Sequence, residues 1–211
     1  MAESSWNLKV LPPATTTILN RLGSESWMKP FYLAGGTGLA LHLGHRTSAD
    51  LDFFAASFDE EALLGLLQSA SPVTVVSKAR ETLHVHIDDT KVSFLGYPYP
   101  LLFPLDALHG VAVAEARDIA CMKISAIAGR GGRRDFVDLY VASRRYGLPA
   151  LLELFRTKFA RVNYNPVHLL KSLAYFEDAE KEPMPNMLVT VAWEEIKAHF
   201  TAEVKKLAGG L

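Results

Sequence analysis

The segment from Phe31 to Phe54 constrains the fold more than any other. Phe31-Tyr32-Leu33-Ala34 is a short apolar run that reads as a buried strand, and it enters Gly35-Gly36-Thr37-Gly38 directly. Leu39-Ala40-Leu41-His42-Leu43 then reads as a short helix stopped by Gly44. Asp50-Leu51-Asp52-Phe53-Phe54 alternates acidic and apolar residues, the period of a strand with one acidic face. Strand, glycine turn, helix and acidic strand in this order open an α+β fold.

The rest of the chain divides in two. Pro12-Pro13 and Thr15-Thr16-Thr17 mark a loose N-terminal stretch. Ser57-Phe58-Asp59-Glu60 has the spacing of a capping box with Ser57 as the cap, which predicts a helix over 61–69. Three β-rich runs follow at 73–77, 82–87 and 91–95, and Asp88-Asp89-Thr90 makes the last two a hairpin. From about residue 115 helical spacing dominates, over 115–128, 136–146, 150–159, 166–178 and 191–207. Asn165-Pro166 is a cap and first-turn proline, Gly147 a helix stop, and Pro183-Met184-Pro185 a connector. The expected division is a mixed-sheet core with flanking helices over 1–112 and a helical region over 113–211 that completes the active site. No repeat or low-complexity tract interrupts it.

Composition excludes several classes. Of the 211 residues 49% are hydrophobic and 21% charged, so a packed core is expected rather than disorder. Lys plus Arg number 22 against 23 Asp plus Glu, and the net charge of -1 restricts any nucleic-acid contact to a local patch. A single cysteine, Cys121, forbids an intrachain disulfide and points to a reducing compartment. No apolar run reaches the ~18 residues of a membrane span, and Met1–Lys9 has no basic leader before an apolar block. The expectation is a cytoplasmic protein that does not engage a membrane.

Asp50 and Asp52 are two apart on a strand, which puts both carboxylates on one face about 6–7 Å apart. Such a pair repels itself unless a cation lies between. Hard oxygen donors favour Mg²⁺ (or Mn²⁺), held by one or two carboxylates together with substrate phosphates. A glycine-rich turn at a helix N-terminus lets backbone N–H groups approach phosphate. A lone D-x-D is commonly a solvated strand end and a lone G-G-T commonly a turn; it is their joint spacing that reads as a site for a metal-bound nucleoside triphosphate.

A second cluster lies downstream. Lys123, Ile127 and Arg130 fall at i, i+4 and i+7, one helix face; Gly129, Gly131 and Gly132 loosen the chain; Asp135 and Asp138 fall at i and i+3 of a new helix starting near Arg134. Cations for phosphate oxygens and carboxylates for a base or an orienting pair are thereby supplied. Taken alone, the same residues suit a surface helix pair tied by ion bridges.

The run from Tyr32 to Phe54 (Gly35-Gly36-Thr37 … His45-Arg46-Thr47-Ser48-Ala49-Asp50-Leu51-Asp52) resembles the first motif of the AbiEii/AbiGii toxin family of nucleotidyltransferases, in the DNA polymerase β-like superfamily. Lys123 … Ile127 … Arg130 … Arg134-Asp135 … Asp138-Leu139 matches the family's second signature at each fixed position. Similar runs occur at Val92-Ser93-Phe94, Tyr97-Pro98-Tyr99-Pro100-Leu101-Leu102 and Leu173-Ala174-Tyr175-Phe176-Glu177-Asp178-Ala179-Glu180, so the resemblance spans about residues 30–185. It implies a nucleotidyltransferase-type sheet and transfer of a nucleoside monophosphate from an NTP to an acceptor hydroxyl. Asp50 and Asp52 would hold the metal. Gly35, Gly36, Thr37, Arg46, Ser48, Arg130 and Arg134 would bind substrate, while Lys123, Asp135 and Asp138 complete the catalytic set. It further implies a toxin of a type IV-like toxin–antitoxin or phage-defence pair, with a cognate antitoxin as partner and tRNA or another RNA as candidate acceptor.

One position departs from the pattern. Many polymerase-β-like transferases carry a third carboxylate on a following strand, where this chain has Ser93. The resemblance implies that an acid of the 134–138 segment substitutes; the alternative is a degenerate nucleotide- or RNA-binding module. Weaker signals remain. His84 and His86, i and i+2 on a strand, could ligate zinc or simply decorate a hairpin face. His45-Arg46 could point to phosphate, and Tyr97 and Tyr99 could stack on a base or rigidify a loop. Cys121, in an apolar helix stretch, reads as a buried structural thiol. Arg144-Arg145 and Lys205-Lys206 read as solvated faces.

Overall fold

The computed structural model describes residues 6–209; the first part of the Met1–Lys9 segment lies outside them. The N-terminal proline stretch is not loose. It opens α1 (Pro13–Gly23), with Pro13 in the first turn, where its missing N–H is not needed. Thr16 and Thr17 return their hydroxyls to the carbonyls of Pro12 and Pro13, at 3.2 and 3.1 Å. The polar threonines conceal a stripe of Ile18, Leu19 and Leu22 that enters the core.

β1 (Tyr32–Leu33) leads straight into α2 (Gly35–Leu43). The glycines expected to form a separate turn are therefore the first turn of the helix itself. Gly44 closes α2 in the left-handed conformation (φ 66°), its N–H bonded to Ala40 O. β2 (Leu51–Ala55) returns antiparallel to β1, and α3 (Glu60–Ala70) follows. The cap of α3 is Asp59 rather than Ser57: its carboxylate accepts the N–H groups of Glu61 and Ala62, each at 2.9 Å. A charged acceptor at the start of a helix outcompetes a hydroxyl two residues earlier.

β3 (Val73–Ala79), β4 (Thr82–Ile87) and β5 (Thr90–Gly96) form successive antiparallel pairs, including the expected hairpin through Asp88-Asp89. β6 (Asp106–Leu108) and β7 (Val111–Val113), a hairpin turned by His109 and Gly110, have three residues each, too few for periodicity to announce. The sheet order is β3-β4-β5-β2-β1-β7-β6, with β2–β5 and β1–β7 parallel.

The helical part comprises α4 (Ala116–Gly129), α5 (Arg133–Tyr146), α6 (Leu148–Lys158), α7 (Pro166–Ser172), α8 (Glu177–Glu180) and α9 (Trp193–Ala208). The single helix expected over 166–178 is two: the chain leaves α7 at Leu173 and resumes as α8 after Phe176. Phe176 and Ala179 instead join Phe136, Trp193 and Phe200 in the helical core.

Strand alternation sorts the side chains. Leu51, Phe53, Leu83, Val85, Val92 and Phe94 pack with α1 and α3 on one face of the sheet. On the other, Tyr32 and Phe54 pack with Leu39 of α2 and Ile119 of α4. Asp52 shares that second face two residues before Phe54, where apolar cover gives way to polar side chains. A fully buried pair, Asp118–Lys158 at 2.8 Å, ties α4 to α6, and the Asp118 carboxylate also accepts the N–H groups of Leu102 and Phe103. Burial pushes the Cys121 thiol up to about 12, which makes it an inert core group.

Candidate active site

The site forms where α2, β2, α4 and α5 meet. Ala34, the residue before α2, has no capping side chain, so the N–H groups of the first turn lack a side-chain partner at the positive end of the helix dipole. Gly35 adopts φ 61°, and a Cβ there would lie 2.7 Å from Asp52 Oδ2. A Cβ on Gly36 would lie 2.2 Å from Arg46 Nη2 and 3.6 Å from Asp138 Oδ2. Both glycines are required by close approach, and the approach brings the first motif onto the second. Gly35→Ala is expected to cost about 1–2 kcal/mol from the left-handed backbone alone and to displace the Asp52 carboxylate. A urea melt reads the first effect and calorimetric NTP titration the second, with affinity falling at least about tenfold, or ~1.4 kcal/mol.

Asp52 is half-buried on β2. Burial pushes its carboxyl above the ordinary value, the Ser93 hydroxyl beside it works in the opposite direction, and the Asp50 charge adds to the rise. Ser93 is the register partner of Asp52 on the parallel neighbour β5. Thr37 turns its hydroxyl inward, to Ser48 Oγ at 2.7 Å and to the Asp50 carbonyl. The side chains of Thr37 and Ser48 thus fix the entry into β2, and it is the backbone of Thr37 that faces the open helix end.

Lys123 and Asp138 are the inner half of the site. Lys123 Nζ lies 2.9 Å from Asp135 Oδ1 and 2.7 Å from Asp138 Oδ2. Asp138, with no exposed surface, also takes Arg46 Nε at 2.7 Å, Arg46 Nη2 at 3.0 Å and His45 Nε2 at 2.7 Å. Burial alone would raise the Asp138 carboxyl; Lys123, Arg46 and the His45 hydrogen bond outweigh it and hold the group far below the usual carboxylate range. Burial likewise opposes the Lys123 charge, but Asp138 and Asp135 keep it fixed. His45 and Arg46 therefore turn inward to Asp138 rather than outward. Asp138, saturated by donors, has no oxygen left for a substrate proton.

The outer half is exposed. Arg130 caps α4, bonds Asp135 through Nε at 2.8 Å and Nη2 at 3.2 Å, and leaves 73% of its side chain exposed. Its charge is felt with that of Asp52. Arg134 is exposed on the first turn of α5 and makes no ion pair among the described residues. The connector 182–192 closes over the segment holding Arg46: Thr47 N–H donates to Asn186 O (2.9 Å) and Leu188 N–H to His45 O (2.8 Å). This strap, and the role of His45, had no sequence signal beyond an unremarkable His-Arg pair.

Other sequence candidates lie elsewhere. Tyr97 packs edge-on against Phe54 and Tyr99, and burial pushes its hydroxyl up, so its ring is a core element rather than an open platform. His84 and His86 share one face of β4, but among the described residues no His, Cys, Asp or Glu completes a group of three able to hold a metal. Asp50 and Asp52 by themselves offer two hard oxygen donors beside a helix end. That suits a hydrated divalent ion whose remaining ligands are phosphate oxygens and water, and it suits no cage built wholly from protein. No helix among the described residues is long and apolar enough to cross a membrane.

Asp52 beside an uncapped helix start, with Asp50 near it and Lys123 buried behind, makes up the candidate site, and the fold around it is shared with known proteins. MenT4, a nucleotidyltransferase toxin of Mycobacterium tuberculosis H37Rv, has the same fold with a TM-score of 0.59 at 19% identity, over 92% of this chain and 83% of that one. The antibiotic-resistance factor ANT(2'')-Ia, solved with adenylyl-2''-tobramycin, aligns over 71% of this chain and 99% of its own at 15% identity and a TM-score of 0.52. An uncharacterized protein of Aquifex aeolicus (strain VF5) is 38% identical over 195 residues, 89% of this chain and 93% of that protein. The family described as nucleotidyl transferase AbiEii toxin, type IV toxin–antitoxin system, matches residues 17–98 and 83–208. This chain belongs to that AbiEii nucleotidyltransferase toxin family.

Proposed function

We propose that the chain transfers a nucleoside monophosphate from an NTP to an acceptor hydroxyl, releasing pyrophosphate, as the toxin of a type IV-like pair with its own antitoxin. The observation that carries this reading is the convergence of the α2 N-terminus, Asp50 and Asp52, and the Lys123–Arg130 cations on one place. RNA, tRNA in particular, is the acceptor class the family suggests.

The first-turn N–H groups of Gly35, Gly36 and Thr37 bind phosphate oxygens. Arg130, whose charge reaches Asp52, adds charge to the outer phosphates, and Arg134, exposed on the first turn of α5, takes the same role. Lys123 is a fixed internal cation that stabilises negative charge developing on the phosphates. Asp135 and Asp138 orient Lys123, Arg130 and Arg46 and are positioning residues, not proton acceptors. Mg²⁺ or Mn²⁺ held by Asp50 and Asp52 would supply charge neutralisation across the phosphates. The work is positioning and electrostatics.

Incubation with each labelled NTP, Mg²⁺ and total bacterial RNA, beside an Asp50→Asn control, tests the reading. Label on RNA from one NTP, absent in the control, is expected. Ser93 at the third-carboxylate position favours one other reading, a binding module without turnover. Mg²⁺-dependent NTP binding with no label transferred to any RNA would select it and overturn the transferase.

A further inference from the structure

β2, the strand of Asp52, has β1 on one side and β5 on the other. α2 leaves the end of β1, so the open helix start lies on the β1 side of Asp52. On the β5 side the same face of the sheet continues without apolar cover. Ser93 is the register partner of Asp52, and Lys91 stands two residues before it on β5. His84 and His86 follow on β4, then Thr74 and Ser77 on the edge strand β3. Lys91, His86, Thr74 and Ser77 are exposed and His84 is half-buried. Leu95, two residues after Ser93, packs with Tyr97 and Phe54, so the opening is at the Lys91 end. These five open side chains are hydroxyls, imidazoles and one ammonium, with no acid and no large apolar group among them. Lys91 makes no ion pair among the described residues. Neighbouring charges on the strands turn to the opposite face, where Asp88 reaches Arg21 of α1 (3.6 Å) and Lys78 pairs with Glu61 of α3. Asp89 stays at the hairpin tip.

We propose that this open face of β5, β4 and β3 is the track on which an acceptor RNA strand lies, with Lys91 holding the phosphate next to the attacking hydroxyl. The proposal rests on the transfer reading above. Attacking and leaving oxygens stand roughly in line across the phosphorus. With pyrophosphate held at the start of α2, the acceptor oxygen arrives from the other side of the acidic pair, which is the β5 side. An RNA strand brings phosphates for the ammonium and 2′-hydroxyls for the imidazoles and hydroxyls. A net charge of -1 gives the chain no general attraction for a polyanion, so a single lysine beside the reaction centre carries an unusual share of it. Beyond the two imidazoles the face has no ring on which bases could stack, so it grips the backbone, tolerates sequence and releases the strand with salt.

The test uses the full chain with labelled NTP, Mg²⁺ and total bacterial RNA. Lys91→Glu is expected to raise the apparent KM for RNA by about tenfold or more, with kcat at saturating RNA little changed, the signature of a contact made equally in ground and transition state. Calorimetric Mg–NTP affinity and Tm should not move. Lys91→Ala should lower the slope of log affinity against log salt by about 0.7–1, the share of one phosphate contact, and Lys91→Arg should restore it. Lys78→Ala, on the same hairpin but facing α3, should behave as wild type. A Lys91→Glu enzyme with wild-type KM for RNA and salt slope overturns the proposal. So does an equal loss of NTP affinity, which would place Lys91 in the nucleotide site, or label transferred to a small hydroxyl compound and never to RNA. All three leave the transferase reading intact. A wild type that binds NTP but transfers to nothing overturns both.

Discussion

Asp52→Asn is expected to lower nucleotidyl transfer by about 10³-fold or more, a loss comparable with or larger than removing one electrostatic contact to developing charge, while making the protein slightly more stable. The opposite signs follow from one cause. Burial and the Asp50 charge both push the Asp52 carboxyl up, so at neutral pH the folded chain holds a charge it disfavours. A group raised in the folded state is neutral in both states below its unfolded value of about 3.9, and there it imposes no penalty. The penalty appears as pH rises above that value and is complete above the folded one. Asparagine removes it. Tm at pH 7 should rise, and the gain should disappear below about pH 4. Mg²⁺ should raise the Tm of the wild type, since it binds only the folded pair, and leave Asp52→Asn unmoved. Full transfer by the variant, or an equal Mg²⁺ response, would remove the carboxylate pair from the mechanism.

Asp138→Ala should give the largest loss of stability of any substitution at the site. It strands Lys123, Arg46 and His45 around a carboxylate-sized hole with no exposed surface. Removing one partner from a buried ionic network costs about 3–5 kcal/mol, which in a chain of this length lowers Tm by roughly 10 °C. The pH dependence runs opposite to that of Asp52. The Asp138 carboxyl is held far below the usual range because its cationic partners outweigh its burial. Its stabilisation is therefore full above the unfolded value of about 3.9 and lost as pH falls through the folded one. The wild type should lose stability progressively below pH ~4, and Asp138→Ala should lose less over that interval. NTP binding should fall with it, because Lys123 and Arg46 lose their anchor. A variant within 1 kcal/mol of wild type, with NTP affinity intact, would show the network to be dispensable.

The alternation of Asp50-Leu51-Asp52-Phe53-Phe54 made one acidic face legible, because a strand admits no other sorting of such residues. The hairpin at Asp88-Asp89 and the helices on either side of Gly131-Gly132 were legible for similar local reasons. α1 was not, since its prolines and threonines carry the composition of a loop and only its docking on the sheet selects the helix. The break between α7 and α8 was not either, because the chain leaves α7 at Leu173 and Phe176 turns in to pack against Phe136 and Trp193 before α8 resumes.

The chain order alone determined which chemical groups are present and which of them share a strand or helix face: two carboxylates on one strand, a glycine turn before a helix, a lysine and an arginine on one helix face. Only the folded contacts decided their duties. Period and spacing describe neighbours along one element, whereas charge state and proton affinity depend on what lies opposite. Asp138 became a buried anchor because the segment after α2 and helix α4 deliver His45, Arg46 and Lys123 to it from up to 93 positions away. Ser93 acquired His84 and Asp52 as partners because three strands bring them into one row.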